Sequence, residues 1–366
     1  MIIGTVKELL DGEDRVGLSD SSVSELVRSG HRVIIETGAG LNSGITDEDY
    51  IKAGAEVVNS PEEVWNNVDV MVKVKEPIVE EYKYFREGLI IFGFLHLAAH
   101  KDLTEALIKA KSTAIAYETV QKDNGDLPCL KPMSMIAGKM SAIIGAEYLQ
   151  KTKGGRGILI SGLPGVERAN AVIVGAGNVG VNALDMLVGL GANVTILDVN
   201  LDKLAQLEQI YGNKIETLYS NDSNLRHAIA DADLVIGAIS LPGSATPKLI
   251  KREYYKEMRE GSVIVDVAID QGGSTEVSKP MTHKEPTFYV DGILHYCVPN
   301  IPGAVPLTAT TALNNAVIPY TKLIANVGLE EALNLRSELR RGVNILNGKV
   351  VNKAIAESLD LPYETI

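Results

Sequence analysis

Short apolar runs rich in valine and isoleucine alternate with amphipathic stretches along residues 2–119, the pattern of parallel strands buried on both faces and separated by helices. The segments IIGTV, RVIIET, DVMVKVK, LIIFGFL and TAIAYET read as strands. Between them, Ser60-Pro61-Glu62-Glu63 starts a helix, with a capping serine, proline at the first helical position and glutamate three residues after the cap. After the turn-rich KDNGDLPCLKPM, residues 134–151 read as a long helix. A second strand-helix series follows, with AVIVG, NVTILD, IETLY, DLVIGA and SVIVDVA as strands. Residues 307–366 read as largely helical. The predicted class is α/β with two doubly wound domains. A second domain at 129–306 is inserted into a discontinuous first domain formed by 1–128 and 307–366.

At 366 residues, a prior of about 100 to 200 residues per domain agrees with two domains. The net charge of −12 and the lack of a Lys/Arg run argue against nucleic acid. Cys129 and Cys297 are too few for a disulfide framework and fit a reducing compartment. The amino terminus lacks the apolar core of a signal peptide, and no stretch reaches about 18 uncharged apolar residues, so a cytoplasmic protein without a membrane partner is expected.

The strongest chemical signal is Gly175-Ala176-Gly177-Asn178-Val179-Gly180. A lone G-x-G-x-x-G is weak, but this one follows an apolar strand, opens a helical pattern and precedes a strand ending at Asp198, the context of a Rossmann βαβ unit. Gly175 suits the tight turn, Gly177 the approach of a pyrophosphate, and Gly180 close helix–strand packing. An acidic side chain at Asp198 accepts ribose hydroxyls and repels a 2′-phosphate, so the expected cofactor is NAD.

Three cationic or titratable side chains sit beside strands of the first half. Arg15, in DGEDRVGLS, has the planar fork that holds a carboxylate, although a solvated loop arginine fits the same position. Lys75 ends DVMVKVK, where an ammonium can polarise a carbonyl; Lys73 shares its face by strand alternation, and spacing does not choose between them. His96 follows LIIFGFL and suits proton exchange near neutrality, or equally a core position. His96 and His100 have the spacing of a helical metal pair, but Asp102 and Glu105 read as the cap and third residue of a helix starting after them, against a shared metal. In the second half Asp266 and Asp270 lie near the end of SVIVDVAIDQGGST, and either faces a nicotinamide or merely ends a strand.

With these motifs assembled, the chain resembles the family of alanine dehydrogenases and the soluble NAD-binding part of proton-translocating transhydrogenase. The resemblance runs nearly end to end: KELLDGEDRV, HRVIIETGAGLNSG, MVKVKEP, FLHLA, AIAYETV, PMSMIAG, GGRGILISGLPGV, VDVAIDQGG and HYCVPNIPGAVP. It implies reversible oxidative deamination of L-alanine to pyruvate and ammonium, with NAD as cofactor and a homohexameric assembly. It also implies that Arg15 and Lys75 bind pyruvate, that His96 is the acid/base and that Asp270 is the second catalytic group. Ser134, Lys203, Ser220, Ile239, Asn300 and Ile301 would join the glycine turn in contacting the dinucleotide. The chain departs from the usual family pattern at Phe94, where tyrosine is frequent, and at Met135, Ile301 and Leu307, where glutamate, methionine and arginine are usual. The alternatives are a transhydrogenase subunit without an amino-acid substrate, a dehydrogenase for a larger substrate, and a nonenzymatic NAD sensor.

Overall fold

In the computed structural model, which describes residues 1–239 and 246–365, the chain forms two compact units. One comprises 1–133 with 305–366, the other 134–304. Each unit is built on a parallel sheet that ends in an antiparallel hairpin, as the α/β reading of the sequence predicts.

The first unit contains β1 (Ile2–Thr5), β2 (Arg32–Glu36), β3 (Glu56–Val58), β4 (Val70–Val72), β5 (Ile90–Gly93) and β6 (Thr113–Ala116). These run parallel in the order β3-β2-β1-β4-β5-β6. Every residue of β4, β5 and β6 is buried, because helices cover a parallel sheet on both faces, and the strands therefore read as unbroken apolar runs. Strand order reverses between β1 and β4, which run parallel, and the crevice beyond the carboxyl ends at such a switch point is where doubly wound sheets bind ligands.

The second unit contains β7 (Asn170–Val174), β8 (Asn193–Asp198), β9 (Ile215–Tyr219), β10 (Leu234–Gly237), β11 (Val263–Asp266), β12 (Thr287–Val290) and β13 (Ile293–Tyr296). Its order is β9-β8-β7-β10-β11-β13-β12, with only β12 antiparallel. Side-chain alternation feeds two separate cores. Ala171, Ile173, Leu234, Ile236, Val263 and Val265 pack on one face, and Val172, Val174, Val235 and Ile264 on the other. The switch point here falls between β7 and β10.

Residues 307–366 are largely helical, as expected, but after helix Pro306–Val327 and two short helices, β14 (Val343–Leu346) and β15 (Lys349–Val350) form a hairpin that extends the first sheet past β6. Its turn, Asn347-Gly348, has both residues at positive φ (49° and 79°), as a tight hairpin turn requires. Two other expectations need correction. The long helix spans Lys131–Tyr148, starting three residues earlier than expected. The helix after His96 spans Lys101–Lys109 with His100 as its cap residue, so Asp102 lies in the first turn. Ser60 does cap helix Pro61–Asn67, its Oγ accepting the Glu63 N–H at 3.3 Å.

His295, on β13, is fully buried, stacked on Phe288 at 5.0 Å, and neither ring nitrogen has a hydrogen-bond partner among the described residues. Burial lowers its pKa from 6.5 to about 4. The unfolded chain therefore binds a proton that the folded chain refuses, and His295 contributes stability that is present above pH 6.5 and lost as pH falls towards 4. From pH 7 to pH 5 that loss is about 2 kcal/mol. His295→Leu is expected to flatten the acid limb of a plot of thermal midpoint against pH; an unchanged limb would contradict the assignment.

Candidate active site

The carboxyl ends of β1, β4 and β5, three neighbouring strands, lead into the segments carrying Arg15, Lys75 and His96. Arg15 and Lys75 thus follow the two strands that flank the switch point of the first sheet. Arg15 is buried, and its fork is held by Glu13: Nε donates to Oε1 at 2.6 Å and Nη2 to Oε2 at 2.5 Å. Nη1 lies 3.0 Å from Met133 Sδ. Two of its guanidinium nitrogens therefore meet an internal carboxylate, which fixes the direction of the group.

β4 ends at Val72, so the strand alternation that equated the two lysines does not extend to them. Lys73 is fully buried, 3.2 Å from both Glu8 and Glu81. Burial alone would push its ammonium down, but the two carboxylates outweigh it and hold its pKa above the usual range. Lys75 lies in the following bend, half-buried, and its ammonium makes no hydrogen bond or ion pair among the described residues.

His96 stands in the left-handed region at φ 46°, uncommon for a residue other than glycine. Glu118 Oε1 accepts its backbone N–H at 2.7 Å, and the same oxygen lies 3.8 Å from Nδ1. Phe94 stacks parallel to the imidazole at 6.2 Å and meets Tyr117 edge-on at 5.1 Å. The His96 ring is 42% exposed, which keeps it open to an incoming molecule. His100 faces a different carboxylate, Glu76, at 3.5 Å. Among the described residues no three His, Cys, Asp or Glu side chains converge as a metal site.

In the second unit the glycine turn joins β7 to helix Asn178–Gly189. Gly175 has φ 108° and its N–H donates to Leu197 O at 2.8 Å, binding the turn to β8. A Cβ on Gly180 would fall on the Gly175 carbonyl oxygen, whereas one on Gly177 would meet open space. Gly177 is also the cap residue of the helix, and no side chain caps it. The open space beside Gly177 and the first-turn amides of a helix end that no side chain caps make a cradle suited to a phosphate.

Asp198 ends β8, and its two oxygens accept the Ala176 N–H at 2.6 Å and the Asn200 N–H at 2.8 Å, tying the second strand to the glycine turn. Ser220 follows β9, its N–H donating to Asp198 O at 3.0 Å. Lys203 is exposed in the first turn of the helix after β8, and half-buried Ile239 follows β10. Asn300, at φ 56°, and buried Ile301 follow β13. Ser134 is half-buried near the start of helix Lys131–Tyr148. Except for Ser134 and Lys203, which sit on helices, these residues lie just beyond the carboxyl ends of strands in the second sheet.

The two aspartates after β11 have different surroundings. Asp266 is fully buried and accepts the Ala268 and Ser274 N–H groups at 3.2 and 2.8 Å, together with the Ser274 and Ser278 hydroxyls. It holds the loop closed. Asp270 lies exposed in the single turn Val267–Gln271 that follows. Glu13, Glu118, Glu8 and Glu81 were not singled out in the sequence reading. Each acts on a partner through tertiary contacts, and no local motif marks them.

Comparison with known proteins identifies the family. The family described as "Alanine dehydrogenase/PNT, N-terminal domain" matches residues 4–137, and "Alanine dehydrogenase/PNT, C-terminal domain" matches 141–353. The chain is 51% identical to an alanine dehydrogenase of Staphylococcus saprophyticus, covering 100% of this chain and 99% of that one. It is also 51% identical to one of Bacillus subtilis, covering 99% and 96%. Among solved structures, an L-alanine dehydrogenase superimposes with a TM-score of 0.96 at 48% identity, covering 98% of this chain and 99% of that one. A transhydrogenase from Sinorhizobium meliloti superimposes with a TM-score of 0.82 at 25% identity, covering 97% and 100%. With both halves matched and the identity sustained from end to end, the chain belongs to the alanine dehydrogenase/PNT family.

Proposed function

We propose that this protein is an NAD-dependent L-alanine dehydrogenase that interconverts L-alanine, NAD and water with pyruvate, ammonium and NADH. The observation that carries this reading is the placement of Arg15, Lys75 and His96 beyond the carboxyl ends of three adjacent parallel strands, with the Lys75 ammonium making no hydrogen bond or ion pair among the described residues. The first unit is assigned the 2-oxo acid and the second the dinucleotide.

In the reductive direction Arg15, its fork already aimed by Glu13, holds the substrate carboxylate, and the Lys75 ammonium polarises the carbonyl oxygen. Restricting the acid to one pose removes much of the orientational cost of the reaction. The His96 imidazolium gives a proton to the carbonyl oxygen as ammonia adds, and loss of water leaves a protonated, positively charged imine on the substrate. Bound NADH supplies hydride to that imine carbon. Asp270, beyond β11 on the carboxyl side of the second sheet, stabilises the positive charge of the imine. The amides of Gly177 to Gly180 hold the pyrophosphate, and the anchored Asp198 carboxylate accepts ribose hydroxyls and disfavours a 2′-phosphate. Ser134, Lys203, Ser220, Ile239, Asn300 and Ile301 complete the dinucleotide contacts. A homohexamer working in the cytoplasm completes the proposal.

The oxidative direction tests the reading. Purified protein is expected to reduce NAD in the presence of L-alanine and much more slowly in the presence of D-alanine or larger L-amino acids. NADP is expected to be a poor replacement. Faster reduction with a larger L-amino acid would reassign the substrate.

A further inference from the structure

Lys73 is the only lysine or arginine among the described residues whose side chain is 1% exposed and faces two carboxylates, Glu8 and Glu81, each also nearly fully buried. Taking three charges out of water costs several kcal/mol per ion, and apolar side chains would commonly serve stability as well. The reason for such a group lies in what its second oxygens hold. Glu8 uses Oε2 on Lys73 and Oε1 to accept the Val74 N–H at 2.7 Å. Glu81 uses Oε1 on Lys73 and Oε2 to accept the Ile78 N–H at 2.9 Å.

Val74 and Ile78 bracket Lys75-Glu76-Pro77. The near end is fixed further by β5: the Lys73 N–H donates to Phe92 O at 2.9 Å, and the Phe94 N–H to Val74 O at 3.0 Å. Pro77 restricts φ within the bracket. The backbone that presents Lys75 is therefore gripped on both sides by two carboxylates joined through one ammonium, while the Lys75 side chain makes no hydrogen bond or ion pair among the described residues.

We propose that Glu8, Lys73 and Glu81 are positioning residues for Lys75, a buried clamp that sets where its ammonium meets the substrate carbonyl. The proposal rests on the reading of Lys75 as a substrate-binding residue. It also divides the labour between neighbouring lysines: the Lys73 ammonium is committed to two carboxylates and does not reach the substrate.

The test is a double-mutant cycle read by pyruvate binding to the NADH-loaded protein without ammonium, measured by titration calorimetry, so that turnover is not needed. Glu81→Gln keeps an acceptor oxygen but removes one of the two negative charges that face Lys73. It is expected to weaken pyruvate on the order of tenfold, since small misplacements of a positioning group carry such costs, while NADH affinity stays unchanged. Lys75→Met is expected to weaken pyruvate at least as much, and adding Glu81→Gln to it to cause no further loss. Losses that multiply in the double variant, or a Glu81→Gln variant that binds pyruvate normally, would overturn the clamp and leave the Lys75 reading standing. A Lys75→Met variant that binds pyruvate normally would overturn both. Should Glu81→Gln fail to fold, Glu8→Gln enters the same cycle with the same expected outcomes.

Discussion

His96→Ala is expected to lower kcat for reductive amination by about 10²- to 10⁴-fold, the usual worth of a positioned acid/base, while NADH binding survives. Asp270→Ala is expected to behave alike, because stabilising charge that develops only during reaction acts on kcat and leaves cofactor affinity alone. The His96 backbone occupies a positive-φ position and Glu118 accepts its N–H, so the ring direction is built into the loop after β5 and does not depend on the bound molecule. Loss of Glu118 is therefore expected to harm turnover without removing any titrating group from the substrate. Stopped-flow turnover together with NADH titration by fluorescence measures both quantities. Near-normal turnover in His96→Ala or Asp270→Ala would remove that residue from the mechanism.

The second large effect separates two glycines three residues apart. Gly180→Ala puts a methyl group on the Gly175 carbonyl oxygen, an overlap that neither backbone segment can relieve by rotating a side chain. The turn and the helix behind it are expected to repack, lowering stability by several kcal/mol, within the range of severe overpacking or worse, and abolishing NADH binding with it. Gly177→Ala puts its methyl group into open space, so the fold is expected to be unaffected. The proposed function puts the pyrophosphate in that space, so NADH affinity is expected to fall on the order of a hundredfold with the thermal midpoint unchanged. Calorimetry of NADH binding beside thermal unfolding distinguishes the two. If both variants bound NADH normally, the anion would lie elsewhere.

The α/β class was legible because parallel strands buried on both faces appear as unbroken apolar runs, and β4, β5, β10 and β11 are such runs. The antiparallel edges were missed although their signals are local. Asn347-Gly348 and Asp291-Gly292 both place two residues at positive φ between apolar segments, and each turn builds the hairpin that finishes its sheet. In the first case the helical periodicity upstream overshadowed the eight residues of VNILNGKV. In the second the exposed face of β12 weakened the apolar pattern.

Within the candidate site, residue spacing named types but did not choose between neighbours. Lys73 and Lys75 look equivalent only if β4 continues through both. It stops at Val72, and the carboxylates that claim Lys73 come from segments that pattern reading cannot bring together. Asp266 and Asp270 differ for a related reason: apart from the Ala268 N–H, the groups that surround Asp266 come from Ser274 and Ser278 across the loop, a closure decided by tertiary structure. The glycine turn lies at the other extreme, because its constraints are steric and act within six residues.

In the proposed reaction ammonia adds to a 2-oxo acid held by Arg15 and Lys75 before hydride arrives. NADH absorbance followed with pyruvate alone and then with pyruvate plus ammonium tests it most directly. The account predicts no appreciable NADH loss until ammonium is added, followed by oxidation that yields L-alanine in equal amount. Rapid NADH oxidation with pyruvate alone, giving lactate, or no oxidation under either condition, would contradict it.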